Sequence, residues 1–187
     1  MNESTVIQSV KLEKDVDAFD PQHLGRLALR DPQNPPLFLP CTASGVCEIF
    51  HRLGVDVAGK HAVVVGRSKL VGLPVSLMLL NRNATVTVCH SRTVDIERVV
   101  SQADILVVAV GRPQWVRGEW IKQGAIVIDV GINSVDDESA ARGYRLVGDV
   151  NFAEAKERAS YITPVPGGVG PMTYGLHATC PAEVVVR

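Results

Sequence analysis

The stretch His61-Ala62-Val63-Val64-Val65-Gly66-Arg67-Ser68-Lys69-Leu70-Val71-Gly72-Leu73-Pro74 decides the fold class. Its first five residues form a short apolar, β-branched run, Gly66 to Gly72 reads as a turn, and Pro74 opens an apolar helical segment reaching about Asn81. The order is strand, loop, helix. Downstream, residues 84–89 read as a second strand, 94–102 as a polar helix, 104–110 as a third strand broken by Gly111, and 125–130 as a fourth. Near-continuous runs of Val and Ile, in place of clean alternation, are what strands covered on both faces look like. The pattern predicts a doubly wound α/β domain: a parallel sheet with helices on both faces.

On the N-terminal side, residues 1–36 read as polar and irregular, ending in the linker-like run Asp31-Pro32-Gln33-Asn34-Pro35-Pro36. Thr42 then precedes an amphipathic helix over 43–53, with Val46, Ile49, Phe50 and Leu53 at helical spacing and Gly54 as its stop. On the C-terminal side the chain loosens after Gly131, with an acidic loop Val135-Asp136-Asp137-Glu138 and a segment 144–150. Asn151 and Glu154 then fit the N-cap and N3 places of a capping box. Tyr161-Ile162-Thr163 reads as a last strand, and Pro164-Val165-Pro166-Gly167-Gly168-Val169-Gly170-Pro171 as a fixed, close-approach loop. There is no internal repeat.

The chain has 187 residues, enough for one domain and an appended segment. It is 46% apolar and 21% charged with a net charge of −1, so no basic surplus points to nucleic acid. No apolar run approaches the 20 or so residues a bilayer span requires. The start Met1-Asn2-Glu3-Ser4-Thr5 has the look of neither a secretory signal nor an organelle transit peptide, which predicts a cytoplasmic protein. Cys41, Cys47, Cys89 and Cys180 show no CxxC pair and no clustered His, so buried thiols are expected, with neither a metal site nor a disulfide framework.

A glycine turn between the first parallel strand and its helix is where doubly wound folds place phosphate, because backbone amides and the helix dipole point at it. Gly66 and Gly72 are six apart, so the turn is not GxGxxG and alone is a weak signal. The second strand ends in Cys89-His90-Ser91-Arg92-Thr93, with no carboxylate for a ribose 2′-hydroxyl until Asp95. Arg67, Ser68, Ser91 and Arg92 supply fork and hydroxyl donors suited to a 2′-phosphate, which favours NADP over NAD. The plain alternative is that Ser91 and Arg92 form a solvated loop and a helix cap. Gly131-Ile132-Asn133 follows the fourth strand at its carboxyl end, where Ile132 is suited to pack on a nicotinamide ring or is an apolar turn residue. His23, His51, His61 and His177 have no partner at a diagnostic spacing and read as core or surface.

Several strings resemble the methylenetetrahydrofolate dehydrogenase/cyclohydrolase family. They are Lys14-Asp15-Val16-Asp17, Val64 to Pro74, Thr85 to Ser91, Ile128-Asp129-Val130-Gly131-Ile132-Asn133, and Thr163 to Thr173. The likeness runs from about residue 2 to Thr173 and is greatest to the dehydrogenase/cyclohydrolase region of cytosolic C1-tetrahydrofolate synthases. It implies a Rossmann-like NADP-binding domain and oxidation of 5,10-methylenetetrahydrofolate to the methenyl cation by hydride transfer to NADP. Hydrolysis to 10-formyltetrahydrofolate would follow. By position it implies cofactor contacts at Gly66, Arg67, Ser68, Ser91 and Ile132, a pterin-holding role for Asp17, and a folate-covering loop including Pro166, Gly167, Gly168, Val169 and Gly170. It also implies a homodimer, or association with a full-length subunit. The expected division is a remnant of the folate-binding domain and linker over 1–36, the NADP-binding domain over 37–173, and an irregular tail over 174–187.

Three departures from the family qualify this. Ala18 stands where the family has glycine, a strained substitution if that turn needs a positive φ. The family's catalytic lysine, four residues after a tyrosine, and its substrate-contacting glutamine have no counterpart, so no catalytic residue is assigned. After Thr173, the run Tyr174-Gly175-Leu176-His177-Ala178-Thr179-Cys180-Pro181 reads as turn and breaker, and the family's long helix is expected to be absent or very short. The two ends suggest an incomplete gene product. A second reading, from another class, is therefore a catalytically incomplete NADP-binding module or subunit-interaction fragment. A third, an amino-acid dehydrogenase of similar order, is disfavoured by the 164–171 loop.

Overall fold

The computed structural model describes residue 7 and residues 9–178. Five parallel strands, β1 (His61–Val65), β2 (Thr85–Cys89), β3 (Ile105–Val108), β4 (Ile126–Asp129) and β7 (Tyr161–Ile162), lie in the order β2-β1-β3-β4-β7. The doubly wound parallel sheet is as the apolar runs predict. Alternate residues of β1 enter two different cores, both dry, because each face of the sheet is covered. Ala62 and Val64 pack with Val46 and Phe50 of helix α2 (Cys41–Arg52) and Val75 and Leu79 of α3 (Gly72–Asn81). Val63 and Val65 pack on the opposite face with Val108, Val116 and Val127. From β1 the chain moves to one side for β2 and then to the other for β3, so the sheet's topological switch point lies at the carboxyl end of β1.

Several boundaries differ from expectation for local reasons. Residues 1–36 are not wholly irregular: α1 (Pro21–Leu29) starts at Asp20, whose carboxylate accepts from the Gln22 amide, and Pro21 sits at N1. His23 and Leu27 are its buried face, and Asn81 of α3 donates its side-chain amide to the Leu27 carbonyl at 2.9 Å. Helix α2 begins at Cys41 with Pro40 as its cap, two residues before the expected start at 43 behind Thr42. Helix α4 is Ile96–Val100, shorter than 94–102, because Asp95 is left-handed at φ 50 and delays the helix. Part of the expected acidic loop is strand: β5 (Asn133–Asp136) pairs antiparallel with β6 (Tyr144–Val147) in a separate hairpin. Helix α5 (Phe152–Ala155) has Asn151 as its N-cap. The capping box is incomplete, since the Asn151 backbone amide bonds to the Val116 carbonyl while Glu154 turns to Arg117 and the Gly118 amide.

The largest difference is at the C-terminal end. Val169–Ala178 form a ten-residue helix, α6, where a breaker was expected. Gly170 and Pro171 fall in its first turn, where proline costs no hydrogen bond. The helix packs on α2, where Gly45 lies against Met172 and Thr173. Among the described residues, Cys41, Cys47 and Cys89 are buried and form no disulfide. Met1 to Thr5 and Cys180 lie outside the described residues, as does the tail beyond 178, and the side chain of His177 is likewise not described. Among the described residues no helix is long and apolar enough to cross a membrane.

Candidate functional site

Among the cavities at the carboxyl ends of the strands, two hold the expected site residues, one at the switch point and one beyond β4. The first, of about 470 Å³, is lined by Gly66, Arg67 and Ser68 after β1, by His90, Ser91 and Thr93 after β2, and by Val110 and Arg112 after β3. Gly66 has φ 123, and a Cβ on it would run into the Ala109 carbonyl; one on Gly72 would run into the Gly66 carbonyl. The two glycines six apart are thus a touching pair that folds the loop onto the sheet. Ser68 closes the same loop, its hydroxyl oxygen accepting from the Val71 and Gly72 amides at 3.2 and 3.3 Å. Those two amides are thereby taken up within the loop itself. Side-chain donors in this cavity include the Arg67 and Arg112 guanidinium groups and the Ser68 and Ser91 hydroxyls.

Arg92 does not line this cavity with the others; it lies in the adjacent turn, its amide donating to His90 Nδ1 at 3.2 Å. Arg112, not anticipated from the sequence, does. Its guanidinium lies over the Trp115 ring, 5.6 Å from the centroid, and Trp115 meets Trp120 edge-on at 5.3 Å. The only sequence signal was two polar residues and an aromatic after a strand-ending glycine.

The second cavity, of about 460 Å³, brings Ile132 together with the whole Pro166 to Gly170 run, with Thr42 and Tyr174 alongside. Ile132 is 64% exposed there. Val169 and Gly170 belong to the start of α6 rather than to loop. Asp17 lines neither cavity; it is half-buried in the turn before α1, beside Ala18 at φ 57. The turn does need the left-handed conformation that a glycine would adopt without cost.

Two buried carboxylates join the cavities, and no spacing or motif in the sequence pairs them. Asp149, fully buried, accepts from the Val110, Gly111 and Arg112 amides at 2.6, 2.9 and 2.8 Å and from Asn133 Nδ2 at 2.8 Å. Asp129 accepts from the Gly131, Asp149 and Val150 amides at 3.0, 3.0 and 2.8 Å. Both acids need glycine opposite: a Cβ on Gly131 would strike the Asp149 carboxylate, and one on Gly148 that of Asp129. Burial pushes the Asp129 carboxyl up to about 6, the nearby Asp149 charge adds to the rise, and the three amides oppose it. The turn after β3, which carries Arg112, is in this way tied to the β4 end, which carries Ile132.

The family model for the tetrahydrofolate dehydrogenase/cyclohydrolase NAD(P)-binding domain matches residues 40–179. The chain is 54% identical over 176 residues to the Arabidopsis thaliana protein named bifunctional protein FolD 4, chloroplastic, covering 94% of this chain and 48% of that one. It is also 54% identical over 176 residues to the cytoplasmic C-1-tetrahydrofolate synthase of Homo sapiens, covering 94% of this chain and 19% of that one. Among solved structures, the Trypanosoma brucei methylenetetrahydrofolate dehydrogenase-cyclohydrolase, complexed with NADP and an inhibitor, superposes with a TM-score of 0.89 at 49% identity. That match covers 96% of this chain and 60% of the other. The chain spans about half the length of the curated FolD relatives it matches.

Proposed function

The chain belongs to the tetrahydrofolate dehydrogenase/cyclohydrolase family, and on that premise we propose that it binds NADP and takes part in oxidising 5,10-methylenetetrahydrofolate to the 5,10-methenyl cation. The observation that carries this is the convergence of Gly66, Arg67, Ser68 and Ser91 on one cavity at the switch point, with no carboxylate at the end of β2. NADP, when bound, supplies the hydride acceptor. A 2′-phosphate fits the donor set: Arg67 offers a planar fork, Ser91 a hydroxyl, and Ser68 the hydroxyl proton left over from its loop contacts. Gly66, packed on the Ala109 carbonyl at φ 123, lets the loop carrying Arg67 and Ser68 fold onto the end of the sheet, which a side chain there would prevent.

The residues that hold the reacting rings are Ile132 and the Pro166 to Gly170 run, which share the second cavity. Hydride leaves a carbon flanked by two nitrogens whose lone pairs absorb the developing positive charge. The step therefore needs orientation and exclusion of water more than a strong base, and an apolar face at Ile132 beside a proline- and glycine-built wall supplies both. Asp17 is assigned to the amino and N–H edge of the pterin, a role that requires a wall beyond the two cavities. Hydrolysis to 10-formyltetrahydrofolate is the second half of what the family implies, and no residue of this chain is assigned to it. The working unit in this reading is a cytoplasmic homodimer, or this chain with a full-length subunit; residues 37–173 form its NADP-binding domain and 1–36 part of its folate side.

A second reading, an NADP-binding module without turnover, rests on one feature: none of Tyr144, Tyr161 and Tyr174 has a lysine four residues on. NADPH formation, followed by absorbance with 5,10-methylenetetrahydrofolate and NADP, separates the two. Arg67→Ala is the control, and loss of one charge-assisted contact weakens NADP about 10- to 100-fold. A rate that falls with this substitution supports the dehydrogenase. NADP binding without a rate supports the module, and no NADP binding refutes both.

A further inference from the structure

Arg112 enters the switch-point cavity from the strand opposite to the one whose end holds Ser91, with its backbone anchored and its side chain resting on an indole. Its amide is held by Asp149 at 2.8 Å, and its guanidinium lies over Trp115, itself braced edge-on by Trp120. An exposed arginine ordinarily samples many rotamers; here the backbone anchor and the indole restrict it. A guanidinium lying on an aromatic ring has a second face, and that plane is weakly hydrated and suited to stacking. The cavity places apolar Ile96 and Val110 in the same lining. A dinucleotide at a switch point of this kind runs its adenosine between the loops after the two strands that flank the first, which are the loops of Ser91 and Arg112.

We propose that the Arg112–Trp115 pair is the stacking platform for the adenine ring of the dinucleotide, while Arg67 and Ser91 read the 2′-phosphate; this rests on the NADP-binding reading above. The division of labour makes Arg112 a determinant of affinity for any adenosine nucleotide and Arg67 a determinant of preference for the phosphorylated one. A purely electrostatic Arg112 would instead act on the 2′-phosphate as Arg67 does.

Titration calorimetry with adenosine 2′,5′-bisphosphate and with adenosine 5′-monophosphate distinguishes these. Arg112→Lys keeps the charge and removes the plane. It is expected to weaken both ligands by the same factor, about 5- to 30-fold, leaving their ratio unchanged. Trp115→Leu is expected to do the same, and the double variant to lose little more than either single one, because the two side chains act as one platform. Arg67→Ala is expected to reduce the bisphosphate alone. The platform is overturned if Arg112→Lys binds both ligands within twofold of the parent, or if Arg112→Ala weakens only the bisphosphate. A parent protein that binds neither ligand overturns the NADP-binding reading itself, and the platform with it.

Discussion

Asp149→Asn is the substitution on which the structure makes its sharpest demand. The side chain at 149 accepts from four donors: the Val110 and Gly111 amides on Oδ2, and the Arg112 amide and Asn133 Nδ2 on Oδ1. An asparagine keeps one acceptor. Its best placement sets the amide oxygen toward Val110 and Gly111 and its NH2 toward Asn133, which flips to present an oxygen. The Arg112 N–H is then stranded, at about 1–3 kcal/mol, and the two surviving amide bonds lose charge assistance, at about 1 kcal/mol each. Relief of repulsion with Asp129 returns part of this, leaving a net loss of about 3 kcal/mol. For a chain of this size that lowers Tm by about 6–12 °C. Denaturant unfolding and thermal melts read the change directly. A loss under 1 kcal/mol would refute the claim that this carboxylate ties the turn after β3 to Asn133. The variant carries its own check, because with the neighbouring charge gone the Asp129 carboxyl titrates lower than in the parent.

The remaining expectations are simpler. Asp129 binds its proton more tightly folded than unfolded, since its carboxyl rises from an ordinary value near 3.9 to about 6. Stability therefore falls as pH rises from about 4 to about 6 and levels off above, by at most about 3 kcal/mol, and denaturation series across that range with Asp129→Asn as the flat reference measure it. Gly66→Ala, which meets both φ 123 and the Ala109 carbonyl, costs about 3 kcal/mol or more and abolishes NADP binding. Gly54→Ala, at φ 65 with open space around it, costs about 1 kcal/mol, and calorimetry of the two side by side separates clash from dihedral cost. Phe50→Ala, fully buried against the α3 face of the sheet, costs about 3–5 kcal/mol in denaturant unfolding.

What was legible in the sequence was what short-range pattern dictates. The Val and Ile runs of β1, β3 and β4 announce a sheet covered on both sides, and the sheet locates the ligand edge. Helix α1 escaped because only His23 and Leu27 are buried on it, too few for a stripe, though Asp20-Pro21 was a readable start. Helix α6 escaped because Pro171 and Gly175 argue against it locally, while the helix it packs on, α2, lies far earlier in the chain. At the site, Gly66 to Ser68 and Ser91 follow from their place at strand ends. Arg112 and Asp149 do not: an arginine becomes a fixed wall only through an acid 37 residues away and an indole beside it. Ile132 was visible as a strand-end residue, but that it shares a cavity with the Pro166 to Gly170 run is a fact of three dimensions.

The β5–β6 hairpin is rooted at Asn133 and Val147 and ends in an exposed turn over residues 138–143. Its root is bound into the Asp149 junction; its tip touches neither cavity. A foreign segment spliced between Ala141 and Arg142, such as a fluorophore tag or an immobilisation handle, would lengthen a solvent loop at little entropic penalty and leave both cavities intact. The same graft at Gly111 or Gly131 would pull apart the junction itself. The hairpin tip is therefore the place to fasten this molecule to a surface or a reporter.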